Sequence, residues 1–174
     1  MERTFILTAE LDTDGFAWLD GLRREHFPPE RNLLPAHLTL FHRLSSAQTE
    51  RLDDAAMPAA AIFILYERIR LLGSGVAVEI TAPALAQLRT AVRHVMGGDF
   101  SKQDRQSWRP HVTVQNKVTA AAARQLHDRL SAGFKPRTGG VSGLLVWEYL
   151  GGPWRLVRRL SFHQPASDAV AEKK

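Results

Sequence analysis

The 174-residue chain carries 23 basic and 18 acidic residues for a formal charge of +5, with 44% hydrophobic and 24% charged residues, the profile of one globular domain able to bury a substantial core. It has no cysteine, which excludes disulfides, Cys-ligated zinc and thiol nucleophiles. The apolar run at the amino terminus is too short for a signal peptide, and the longest one, Ala55 to Leu65, contains Pro58 and falls far below membrane-spanning length, so a cytoplasmic protein with no membrane attachment is expected.

The basic excess favours an anionic partner, but no run resembles a nucleic-acid-binding arm. Its densest cluster is Arg155, Arg158 and Arg159. In chain order, residues 3–11 are rich in β-formers and read as a strand. A helix follows over 13–27, capped by Asp12 or Thr13, with Phe16, Leu19, Leu22 and Phe27 on its apolar stripe. Pro28 and Pro29 stop it in a loop. Residues 36–42 form a strand, and Ser45 to Gln48 is a capping box opening a helix to about Met57. Runs 61–70, where Arg68 and Arg70 alternate, and 75–81 read as a hairpin around Leu72-Gly-Ser-Gly75. Pro83 sits in the first turn of a helix with a Leu85, Leu88, Val92, Val95 stripe, ended by Gly97-Gly98. The stretch from Asp99 to Arg109 is polar and leads to a strand at 111–115. An Ala-rich helix over about 119–131 and two β-runs, 141–150 and 154–162, complete the series. The polar tail 164–174 is expected to fray.

Two of these strands carry the same motif. His37-Leu-Thr39-Leu and His111-Val-Thr113-Val are both entered through proline, and each leads on to a helix, a strand, a Gly-containing turn (Gly73, Gly151) and another strand. The common order indicates an internal repeat. Within one domain spanning 1–163, it implies an α+β fold of two antiparallel-rich sheets related by a pseudo-twofold, with helices outside and a cleft between.

Side chains alternate across a strand, so His37, Thr39 and Phe41 share a face, as do His111, Thr113 and Gln115. The apolar residues between them take the core. Two imidazoles that titrate near neutrality can divide the work of cleaving a phosphodiester. One ring takes a proton from the attacking oxygen and the other gives one to the departing oxygen, while Thr hydroxyls donate to the phosphate. A metal site built on His37 and His111 is disfavoured, because the motifs add no carboxylate and threonine is a poor partner for His-binding metals. No phosphate loop or nucleophile elbow is present. His42, of opposite parity to His37, is expected to lie outside the cleft. His26, His94, His127 and His163 read as structural or solvated.

The two motifs, with Trp108-Arg-Pro-His-Val-Thr-Val-Gln-Asn116 around the second, resemble those of the two-histidine (2H) phosphoesterases, the superfamily of the 2'-5' RNA ligase and RNA 2',3'-cyclic phosphodiesterase enzymes. The resemblance extends over about residues 3–163. It implies a two-lobed fold with His37, Thr39, His111 and Thr113 as a catalytic tetrad in the groove. It also implies action without metal or cofactor on 2',3'-cyclic phosphates, 2'-5' linkages or related cyclic nucleotides. A cyclic nucleotide or RNA end is then the expected partner, and a monomer is expected. For hydrolysis His37 is assigned as acid and His111 as base, labels that depend on the direction of the reaction observed and that the sequence alone does not fix. Phe41, Gln115, Arg109 and Trp108 are the candidate substrate contacts, through stacking and cationic contact. Two other readings stay open: a phosphodiesterase for a metabolite such as ADP-ribose 1'',2''-cyclic phosphate, and an RNA-binding module without significant catalysis.

Overall fold

The computed structural model describes residues 2–162, so the expected frayed tail and His163 lie outside the described residues. Among the described residues seven strands are present: β1 (Phe5–Leu11), β2 (Leu38–Leu44), β3 (Ile62–Leu71), β4 (Val76–Thr81), β5 (His111–Gln115), β6 (Arg137–Tyr149) and β7 (Trp154–Ser161). Five helices accompany them: α1 (Thr13–His26), α2 (Ser46–Arg51), α3 (Pro83–Met96), α4 (Lys102–Arg105) and α5 (Ala120–Gly133).

Local chemistry explains most of the boundaries. The Asp12 carboxylate accepts from the Gly15 N–H and caps α1, Ser45 and Gln48 form the reciprocal capping box of α2, and the Thr119 hydroxyl caps α5. The α2 helix is shorter than its box suggests, passing into a 3-10 turn at Leu52–Asp54. Gly73 at the β3–β4 turn and Gly151 at the β6–β7 turn have φ of 86° and 87°, the left-handed conformation that glycine alone adopts without strain.

The fold is α+β, with a curled antiparallel sheet and helices at its periphery. The two expected sheets are one. Its strand order is β2-β1-β6-β3-β4-β5, with β7 also paired to β6. The reason lies in the length of β6: Val141 to Glu148 pair with β1, Arg137 to Val141 pair with β3, and Gly143 to Tyr149 pair with β7. β3 and β7 thus follow one another along the same edge of β6, which joins what would otherwise be separate sheets.

Curling brings the two end strands, β2 and β5, beside each other. They are the strands that carry the His-x-Thr motifs. Behind them the core is continuous: Leu7, Leu38, Leu40, Ile64, Val112 and Val114 are fully buried, each contributing about 1.5–3 kcal/mol through loss of apolar surface to water. The Arg155, Arg158 and Arg159 cluster is not a free basic patch, because these residues pair with Glu148, Asp53 and Glu10. Among the described residues no helix is long and apolar enough to cross a membrane.

Candidate active site

β2 and β5 do not hydrogen-bond to each other, and their facing edges are closed by side chains instead. The buried Arg23 guanidinium donates to the Thr113 carbonyl on β5 and to Leu34 O and Asn32 Oδ1 in the loop before β2, each at 2.9 Å. On the other side, buried Arg89 donates to Leu40 O (2.8 Å) and Asp104 O (2.9 Å), and the Trp108 indole N–H donates to Thr39 O (3.0 Å). Arg89 also lies 4.5 Å from the Phe41 ring centroid and 5.5 Å from that of Trp108. Buried main-chain carbonyls need such partners. Supplying them from side chains leaves a gap between the strands.

That gap is a groove of about 300 Å³, large enough for a small ligand. His37, Thr39, His111 and Thr113 all line it. The two histidines are held alike. His37 Nδ1 lies 2.8 Å from Pro35 O, and His111 Nδ1 lies 2.8 Å from Arg109 O. A carbonyl oxygen can only accept, so Nδ1–H donates in each ring and Nε2 keeps the lone pair.

Burial pushes the His37 imidazole down to about 4, with Arg23, His42 and His111 adding to the effect and the Pro35 hydrogen bond opposing it. His111 is likewise lowered by burial, with Arg70, His42 and Arg109 contributing and its bond to Arg109 O opposing. Both rings are therefore neutral at pH 7 before an anion arrives. Arg70, Arg89 and Arg109 also line the groove, so its field favours an anion. Among the described residues no group of three or more His, Asp or Glu is placed to hold a metal ion.

The other four expected contacts divide. Trp108 and Arg109 line the groove, and Arg109 also reaches Glu79 at 3.4 Å. Phe41 does not: it is fully buried and packs on Phe100. Gln115 is buried as well and lies outside the groove lining. The cause is the same at both places. The β1–β2 register passes from Thr8↔Thr39 to Leu7↔Phe41, and the β4–β5 register passes from Ala77↔Thr113 to Val76↔Gln115. Leu40 and Val114 are thus extra residues in β-bulges, one after each motif threonine, and a bulge reverses the facing of the residues beyond it. The same reversal turns His42 toward the groove, which it lines, against the parity expectation.

Sequence reasoning also misses Arg89, Asp104 and Trp154. Trp154, at the start of β7, sets its ring 4.7 Å from that of His37 and forms one wall. Asp104 belongs to α4, in the stretch that reads only as polar. The one available signal is Leu40-Phe41, two adjacent apolar residues that break the alternation of the strand.

The sequence model of the 2'-5' RNA ligase superfamily matches residues 11–153. No curated protein matches the chain. Among solved structures, E. coli LigT in its apo form is similar at a TM-score of 0.60 and 16% identity, covering 94% of this chain and 100% of that one. E. coli LigT complexed with 3'-AMP gives 0.58 at the same identity and coverage. TT0787 of Thermus thermophilus gives 0.64 at 14% identity, covering 91% of this chain and 97% of that one. At these identities the structural likeness speaks for the fold alone.

Proposed function

This chain belongs to the 2'-5' RNA ligase superfamily, and on that premise we propose that it is a metal-independent phosphoesterase that opens 2',3'-cyclic phosphates at RNA ends or on nucleotides, with reversible 2'-5' ligation when an RNA 5'-hydroxyl takes the place of water. The observation that carries the reading is the meeting of two similarly anchored His-x-Thr units, from the two ends of one sheet, on a single basic groove. The complex of E. coli LigT with 3'-AMP is consistent with a nucleotide in such a groove.

In the proposed reaction His111 Nε2 takes a proton from water as its oxygen bonds to phosphorus. His37, protonated in the complex, gives its Nε2 proton to the ribose oxygen whose bond to phosphorus breaks. Thr39 and Thr113 donate to nonbridging oxygens and hold the phosphorus in line. The substrate's negative charge offsets the arginines and neighbouring rings that hold both imidazoles neutral, so arrival of the phosphate favours protonation of one of them. Ligation is the same ring opening with an RNA 5'-hydroxyl in place of water, and its reverse, cleavage of the 2'-5' linkage back to the cyclic phosphate, exchanges the two roles.

The test is turnover, with EDTA present, of a 2',3'-cyclic mononucleotide, a cyclic-ended RNA and ADP-ribose 1'',2''-cyclic phosphate. Cleavage of either of the first two supports the proposal. Turnover of the third alone replaces it with the metabolite reading, and salt-sensitive RNA binding without any product replaces it with a binding module.

The lowered imidazoles also impose a pH dependence. A lowered pKa means that less of the proton-donating form exists at any given pH. kcat/KM reports the ionisations of the free enzyme, so it is expected to be greatest below the ordinary imidazole value of 6.5 and to fall as pH rises. kcat, measured with the anionic substrate in place, is expected to peak at higher pH. Coincident pH profiles for the two constants would contradict the linkage between phosphate binding and protonation.

A further inference from the structure

We propose that His42 is a third histidine of the site, one that donates from Nε2 to a nonbridging oxygen of the bound phosphate while Asp104 holds its other nitrogen. This rests on the reading of the groove as a phosphoester site and names a contact within it that the two motifs do not supply.

Three observations carry the inference. First, the bulge at Leu40 turns His42 into the groove that His37 and His111 line, with 41% of its side chain exposed. Second, His42 Nδ1 lies 3.0 Å from Asp104 Oδ1, which also accepts the His42 main-chain N–H at 2.8 Å. A carboxylate there fixes Nδ1–H as donor and directs Nε2 away from Asp104. Third, the Asp104 carboxylate is fully buried and does not need the ring to be satisfied. Its second oxygen accepts from Arg43 N (3.0 Å) and from Ser101 Oγ (2.8 Å). Burial works to raise the Asp104 pKa, but bonds from His42, Ser101 and Arg43 outweigh it and hold the group below its ordinary range.

The contrast with the motif histidines assigns the role. His37 and His111 lean on neutral carbonyls, which suits rings that must give and take a proton. His42 leans on a buried anion, which favours retention of a proton between two negative partners once phosphate is bound. The titratable and charged groups facing it are the neutral rings of His37 before β2 and His111 on β5, the guanidiniums of Arg70 on β3, Arg89 on α3 and Arg109 before β5, and the Asp104 carboxylate behind it, all on the same groove.

The experiment titrates inorganic phosphate into the full chain and into His42→Asn and His42→Gln, following the imidazole C–H resonances by NMR, with steady-state cleavage of a 2',3'-cyclic mononucleotide measured alongside. In the wild type the His42 resonance is expected to move to its imidazolium position as phosphate binds. Phosphate affinity is expected to fall about 10–100-fold in both variants, the range for loss of a hydrogen bond to a charged group. The variants keep the main-chain donors to Asp104, so their thermal unfolding is expected to be cooperative. An unshifted His42 resonance, or unchanged phosphate affinity in both variants, overturns the proposal. Phosphate binding is read without turnover, so inactivity of the wild type on cyclic phosphates would count against the function proposed above and leave this test standing.

Discussion

Replacing either His37 or His111 by alanine is expected to lower kcat/KM for a 2',3'-cyclic phosphate by about 10²–10⁴-fold, the contribution of one well-placed proton-transfer group. The expectation rests on the equal anchoring of the two rings, each tied through Nδ1 to the carbonyl two residues earlier. Neither ring has a substitute in place. His42 lines the same groove, but Asp104 fixes its ring, and its Nε2 is assigned above to a nonbridging oxygen, not to the attacking or departing one. The double variant is expected to lose far less than the product of the two single losses, because groups acting in one proton relay are not additive. Steady-state kinetics with EDTA present, beside thermal unfolding of each variant, checks this. Full activity in the double variant would refute the proposed mechanism.

Arg89→Met is expected to cost about 2–6 kcal/mol of stability, about 1–3 kcal/mol for each of two buried acceptors left unpaired. Methionine can fill the space between Phe41 and Trp108, so the loss is not one of volume. It comes from two buried acceptors, Leu40 O and Asp104 O, left without their donor. A fall in the urea midpoint with an unchanged m-value is the expected signature. Arg89→Lys is expected to recover only part of it, since one ammonium does not reproduce the planar fork that spans both carbonyls. A midpoint equal to the wild type in Arg89→Met would show that the β2 edge is held by other means.

Sequence periodicity makes most elements legible. β5 lies at 111–115, where the alternation places it, and the Asp12 and Ser45–Gln48 caps are readable because they depend on neighbours in the chain. What escapes depends on distant contacts. The start of β6 at Arg137 is hidden by Gly139-Gly140, which look like a turn. Gly139 is instead in the strand because Tyr66 packs over it: a Cβ there would come within 2.6 Å of the ring. The merging of two expected sheets into one is a matter of strand pairing, which local pattern does not encode. Both motifs are readable as apolar–polar alternation up to their threonines. Beyond them the bulges at Leu40 and Val114 reverse the facing, so simple alternation wrongly puts Phe41 and Gln115 in the groove and His42 outside it.

The shared strand β6 has a consequence for how the chain acquires its shape during synthesis. β1 and β3 are made early, yet each waits for residues 137–149 before its β6 edge is covered. Until that segment leaves the ribosome, the nascent polypeptide carries exposed apolar edges that invite mispairing with other chains. Closure then depends on joining segments far apart in sequence, which makes maturation slow for a protein of this length. A ribosome-bound chain ending before Arg137 is therefore expected to be protease-sensitive and a client for chaperones, whereas one with β6 fully extruded is not.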